Sequence, residues 1–242
     1  MRAMAFKRIN VLGKNGLSDP KSYIAAGDLC QIGEKEANGL WPVTYPTSKG
    51  SKTRWVRSLS GFLCNQNDYA NLSYPAKGYE KATIKSGGCG VCASVNAIGA
   101  LKGRCISVSV MRNLAIEGKA RVSGGTDMAQ MMRLLAQQYK IKYRTSSSVF
   151  DLRKHLEAGG VAICNVAGNG MFSTGGHYVT ALGLLENKVC IADSGLYVGK
   201  YSTAKRRPYV TVSGDLIFAD LSVLDKDCVG RWPRFYLLSE GG

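Results

Sequence analysis

Hydrophobic positions along the chain follow two regimes. From residue 89, Val91, Val95 and Ile98 recur at i, i+4 and i+7, one face of a helix beginning at Cys89. SVMRNLAIEG predicts a second helix closing at Gly118. After G-G-T-D, the face formed by Met128, Met132, Leu135 and Tyr139 predicts a third, with the methionines as core packing. DLRKHLEAGG predicts a short helix ended by glycine. The period then shortens. VAICNV, HYVTALGLL, KVCIAD, PYVTV, DLIFADL and RFYLL are expected strands, with the glycine-rich AGNGMFSTGG between the first two. Helices followed by strands indicate an α+β domain.

The first 65 or so residues differ in texture. GDLCQIGE and RWVRSLSGFL predict short strands, and the intervening ANGLWPVTYPTSKGSKT is rich in turn formers and aromatics. This pattern suggests a small all-β barrel. QNDYANLSYPAKGYEK is expected to be a linker or an irregular approach to the second domain. The expected division is a β-rich module over residues 1–70 and a larger domain over 71–242.

The 242 residues are 45% hydrophobic and 20% charged, sufficient for a substantial core. No run reaches the roughly 18 apolar residues of a membrane span, and the N-terminal segment lacks signal-peptide features, so no membrane insertion is expected. The expected route is synthesis in the bacterial cytoplasm and action after release. Eight cysteines at 30, 64, 89, 92, 105, 164, 190 and 228 are scattered, which favours free thiols over a disulfide framework. The net charge is +15, with 13 basic and 6 acidic groups before residue 86 and 19 and 11 after it. Such a field favours polyanions, either nucleic acid or an anionic envelope. No specific nucleic-acid motif is present. In the first module Trp41, Tyr45 and Trp55 lie near Lys49, Lys52, Arg54 and Arg57, a mixture suited to carbohydrate or anionic polymer unless the tryptophans are core.

The candidate chemistry centres on S-G-G-C-G-V-C at residues 86–92. A thiol at a helix N-terminus is partly activated by the dipole, and Cys89 stands there. Its backbone N–H is also placed as an oxyanion donor. Gly87, Gly88 and Gly90 are expected to admit a substrate backbone. The chain has only two histidines. His155 lies among charged residues and is expected on a solvated helix face. His177 opens a strand beside a glycine loop. Asp193 ends the next strand, so a hairpin can bring the two together. A Cys89–His177–Asp193 set would supply nucleophile, base and orienting acid. Cys92 is the rival nucleophile, through C-x-x-C.

TIKSGGCGVCASVNAI resembles the G-C-G-P-T-S nucleophile stretch of papain-like bacterial cysteine peptidases related to double-glycine leader peptidases. GMFSTGGHYVTALGLLENKVCIADS is similar to that family's G-H-F-V-V…V-Y-V-N-D-P stretch. The resemblance covers about residues 80–195 and implies a papain-like domain, helices packed on an antiparallel sheet, with Cys89 as nucleophile, His177 as base and Asp193 as its partner. Thr83 stands where the family carries an oxyanion glutamine. Val91-Cys92 replaces P-T, and Asp193-Ser194 replaces D-P. YPTSKGSKTRWV resembles bacterial SH3-type modules of cell-wall hydrolases. Together these imply a phage- or prophage-type lysin cleaving peptidoglycan peptide bonds without cofactor or metal. The rival reading is a degenerate peptidase-like domain serving as an envelope-binding or structural phage module.

Overall fold

The computed structural model describes residues 1–241. Its first part is a six-stranded antiparallel sheet: β1 (Arg2–Met4), β2 (Ile9–Leu12), β3 (Ser18–Ile24), β4 (Leu29–Ile32), β5 (Trp41–Thr47) and β6 (Gly50–Val56), ordered β1-β4-β5-β6-β2-β3. The turn-rich stretch before residue 53 is therefore largely the β5–β6 hairpin, in which Pro42 and Pro46 are accommodated. RWVRSLSGFL is strand only to Val56, after which the chain turns away. The polar, proline-containing sequence of β3 hid its strand character, and β2 is only four residues long.

Residues 57–83 are irregular, with a 3-10 turn at Gln66–Asp68, yet they are packed: Leu59, Phe62, Leu63 and Tyr74 are buried. They lead into the helical half: α1 (Ile84–Gly87), α2 (Cys89–Lys102), α3 (Val108–Glu117), the small hairpin β7 (Arg121–Val122) and β8 (Gly125–Thr126), and α4 (Met128–Tyr139). Then come β9 (Ile141–Ser146), α5 (Val149–Glu157), β10 (Val161–Val166), β11 (His177–Leu185), β12 (Lys188–Ala192), β13 (Val210–Ser213), β14 (Leu216–Ala219), α6 (Leu221–Asp227) and β15 (Phe235–Glu240). The helix ends carry their own signals. Ser107, Asp127 and Ser148 each accept a backbone N–H three residues on, and Gly118 closes α3. β9 and α6 were not anticipated. DLIFADL is strand to Ala219, then Asp220 starts a helix.

The seven-stranded antiparallel sheet has the order β13-β14-β12-β11-β10-β15-β9. The chain is thus α+β with antiparallel sheets. Both faces of the large sheet are covered, which explains the apolar run VAIC at Val161–Cys164. On one side Ile163, Leu182, Cys190 and Tyr236 meet α2 and the N-terminal sheet, while on the other Cys164, Val179 and Ile191 meet α5 and α6. β11 and β12 are joined by Glu186-Asn187, both left-handed (φ 50° and 62°), and a bulge interrupts their register between Ala181 and Gly183.

His155 is not the solvated residue expected. Its Nε2 lies 2.8 Å from the Leu238 carbonyl and 3.2 Å from that of Val161, tying α5 to the sheet. The charged neighbours Arg153 and Lys154 face outward, while the histidine turns in.

The two sheets share one core. Met4 packs against Gly99 of α2, and Trp41 stacks on Phe218 with ring centroids 5.2 Å apart. Trp41 is therefore a core residue. Trp55 is half-buried and donates to Glu36 (2.9 Å). Because Trp41 bridges the sheets, Trp41→Ala should cost about 3–5 kcal/mol and lower a single melting transition. A calorimetric scan checks this: two separate transitions, only one of which moves, would mean the sheets fold independently.

Candidate active site

Helix α2 is the central element, buried at every residue from Gly90 to Leu101. Close approach is obtained through glycine. A Cβ on Gly90 would come within 2.7 Å of Thr126, and one on Gly88 within 2.8 Å of the Ile84 backbone. These two glycines are thus filled by the protein's own atoms, not kept open for substrate as the sequence suggested. Gly87 lies beside the Arg121 guanidinium. That guanidinium donates to the Tyr74, Val122 and Gly125 carbonyls.

Cys89 is the first residue of α2 and remains partly exposed, whereas Cys92, one turn in, is fully buried. Their chemistry differs accordingly. Burial alone would raise the Cys89 thiol, but the His177 imidazole and the backbone N–H groups of Tyr178 and Gly90 outweigh it, and the net shift is downward. The hydrogen bond with Cys64, together with burial, holds the Cys92 thiol well above its ordinary value. A buried, protonated Cys92 is a packing residue.

His177 begins β11, and its Nε2 lies 2.8 Å from Asp193 Oδ1, just past the end of β12. The expected hairpin is present, with Thr180 paired to Ala192. With Nε2 engaged, Nδ1 is the ring nitrogen left for the Cys89 thiol. Burial works against the imidazolium, but the Asp193 hydrogen bond and the Cys89 thiolate raise its pKa to about 9. Burial likewise opposes the Asp193 carboxylate. The His177 hydrogen bond and the charges of His177 and Lys200 reverse this and hold it well below the usual carboxylate range.

Three partners of Asp193 were not found from sequence. Lys200 Nζ donates to Oδ2 at 2.5 Å, the Tyr201 hydroxyl donates to Oδ2 at 2.6 Å, and the Gly195 N–H donates to Oδ1 at 2.9 Å. The available signal was the G-K-Y run within eight residues of Asp193, in a stretch with no strand period. Thr83 caps α1, its N–H donating to the Ser86 hydroxyl at 2.9 Å, and has no role at the thiol. Gln66 instead comes near from the irregular segment. Its N–H donates to the Ser194 carbonyl (2.7 Å) and its Nε2 to the Lys85 carbonyl (2.8 Å), while Ser194 Oγ bridges Gln66 Oε1 and the Cys89 carbonyl at 3.4 Å each.

Among the described residues no three His, Cys, Asp or Glu side chains form a metal-binding group, and no helix is long and apolar enough to cross a membrane.

No protein family and no curated protein matches the chain. Among solved structures it is similar to the peptidase domain of Streptococcus ComA, a bi-functional ABC transporter involved in a quorum sensing pathway. The TM-score is 0.42 and the identity 13%, over 63% of this chain and 90% of that one. The site is therefore read from its own geometry.

Exposed Cys105 would compete for any thiol reagent, so labelling belongs in a Cys105→Ser background. There, iodoacetamide at pH 6 should modify Cys89 and leave Cys92 untouched, as peptide mapping would reveal. His177→Ala should slow that reaction at least about tenfold. Preferential labelling of Cys92 would transfer the reactive role to it.

Proposed function

We propose that this protein is a cysteine endopeptidase of papain-like type, with Cys89 as nucleophile, His177 as general acid–base and Asp193 as the group that orients the imidazole. The observation that carries this reading is a buried histidine held by a carboxylate at 2.8 Å beside the one thiol whose pKa is lowered at a helix N-terminus. The peptidase domain of ComA is compatible with it only at the level of a coarse likeness.

In this mechanism the Cys89 thiolate attacks the scissile carbonyl carbon and the carbonyl π electrons move to oxygen. The Cys89 N–H at the start of α2 donates to that oxyanion. His177 Nδ1–H then protonates the departing amine as the carbonyl re-forms, leaving an acyl-thioester. Neutral His177 next takes a proton from water, whose oxygen attacks the thioester and releases Cys89. Asp193 stays ionised throughout and fixes the tautomer.

The substrate we propose is the peptide portion of bacterial peptidoglycan, met after release of the protein by a phage- or prophage-type lysis route. Support comes from the net charge of +15 and from the N-terminal sheet, which we read as an SH3-like wall-binding module over residues 1–70. A groove of about 550 Å³ there is lined by Lys21, Tyr23, Thr47, Ser48 and Lys52, with Asp28 as its one carboxylate. Arg8 stacks over the exposed Tyr23 ring at 3.9 Å. These residues replace buried Trp41 as the surface suited to an anionic polymer. The paired variant Lys21→Ala/Tyr23→Ala should weaken sedimentation with purified cell walls and leave Cys89 alkylation unchanged. Equal sedimentation would remove this groove from wall binding.

The pH dependence has a defined sign. The imidazolium must be present to protonate the leaving amine, so kcat/KM should persist through neutrality and fall as pH rises through about 9. On the acid side it should fall as the thiolate is protonated, below the range of an ordinary thiol. The two limbs belong to the coupled pair. Asp193→Asn should cost orders of magnitude, roughly 10⁴ in the best-studied triad, and Cys89→Ala should abolish turnover. Mass spectrometry of fragments released from purified cell walls reads both the activity and the bond. Silence of the wild-type chain on walls and on peptide libraries alike, with ordinary thiol reactivity, would favour a degenerate binding module.

A further inference from the structure

Asp193 is held more elaborately than orienting a histidine requires. One hydrogen bond to Nε2 fixes an imidazole, yet this carboxylate also receives the Gly195 N–H, the Tyr201 hydroxyl and the Lys200 ammonium. Lys200 and Asp193 have side-chain exposures of 6% and 0%. Taking an ammonium out of water is costly, and a buried ion pair often contributes little stability compared with apolar packing. Orientation alone would be served by the neutral Tyr201 and Gly195 donors. The charge itself calls for an explanation.

Charge counting supplies one. With Cys89 as thiolate, His177 as imidazolium and Asp193 as carboxylate, the buried set carries a net negative charge. Lys200 brings it to zero. It also does so in the alternative proton arrangement, neutral thiol and neutral imidazole, where Lys200 balances Asp193 alone. The other ionisable groups facing this set fall in two places. Cys92, Tyr74 and Tyr178 surround Cys89 and are each held neutral, Cys92 by its hydrogen bond with Cys64 and by burial, the tyrosines chiefly by burial. Behind Asp193, Arg206 lies 5.9 Å from the Tyr201 ring and donates to the Lys200 carbonyl, and Asp227 acts on Tyr201 from α6. Tyr201 is held as a phenol by burial and by the Asp193 charge, so it stays a donor. Among the described residues Lys200 is the one lysine or arginine side chain in direct contact with Asp193.

We propose that Lys200 is a positioning residue for the Cys89–His177 pair, its ammonium charge setting the pH window in which the thiolate–imidazolium form exists. It acts through Asp193 and does not touch the reacting atoms. The sign follows from Coulomb's law. A cation beside the set favours the thiolate and disfavours the imidazolium. Removing it should raise both ionisations and shift the whole profile upward, by about one pH unit for a charge at this range in a partly screened interior. Loss of a merely structural contact would lower the height of the profile without moving it.

The inference rests on the peptidase reading of Cys89 and His177, and the test separates the two. In the full-length Cys105→Ser chain, the alkylation rate of Cys89 by iodoacetamide is followed from about pH 4 to about pH 10. Lys200→Gln retains an N–H donor to Asp193 while removing the charge, and Lys200→Arg retains the charge. The expected result is a midpoint about one unit higher for Lys200→Gln and unchanged for Lys200→Arg. An unchanged midpoint in Lys200→Gln, or the same shift in both variants, would overturn the proposal. So would a Lys200→Gln chain that fails to fold, because Lys200 would then be a requirement of folding. Failure of the peptidase reading has a different signature: the parent chain itself would titrate as an ordinary thiol near about 8.5, whatever occupies position 200.

Discussion

The position of Cys89 against His177 depends on α2 having no exposed face between Gly90 and Leu101. A helix with a solvated stripe can roll or slide, but one enclosed on all sides is located by every neighbour at once. The large sheet holds it through Thr180, whose hydroxyl donates to the Ala93 carbonyl at 2.9 Å. The N-terminal sheet holds it through Met4 at Gly99, and the irregular segment through Asn96, which exchanges hydrogen bonds with the Cys64 backbone. Its N-terminus, and with it the thiol, inherits that fixity. The N-terminal sheet therefore influences the site without approaching it.

Electrostatics and packing point the same way at this position. The thiol is crowded enough for burial to oppose ionisation, and the imidazole overcomes that opposition because the carboxylate behind it is itself fully satisfied. Cys92 shows the contrast within one turn of helix. Its neighbour is the thiol of Cys64 in place of a cation, and it is driven away from ionisation. Location on α2 is thus insufficient. What distinguishes Cys89 is the partner across the cleft.

Much of the second half was legible because its periods are strong. The methionine face of α4, the cap at Asp127 and the run VAICNV all correspond to elements found. Cys89, His177 and Asp193 stood out because each sits at an element boundary beside glycine or a turn, and the hairpin brings the latter two together. The N-terminal sheet was less legible, since β2 is only four residues long and β3 is polar, carries a proline and is half-exposed. His155 misled because its neighbours are charged, while its own contacts are to carbonyls distant in sequence. Lys200, Tyr201 and Gln66 escaped for the same reason: apart from the closeness of G-K-Y to Asp193 in sequence, segments without a period carry no clue to the direction in which they fold back.

The Glu186-Asn187 turn works as a ruler. A two-residue connection leaves little slack, so the pairing of Thr180 with Ala192, and with it the placing of His177 and Asp193 just beyond, is fixed by counting back from the turn, with the bulge near Gly183 adding one step. Strand side chains alternate faces, so the count has only two outcomes: imidazole towards the carboxylate, or away from it. Length changes are therefore graded in the loops before His177 and after Asp193, where the chain can absorb extra residues. In this hairpin an added residue must either be taken up by a second bulge, like the one near Gly183, or turn the imidazole away from the carboxylate.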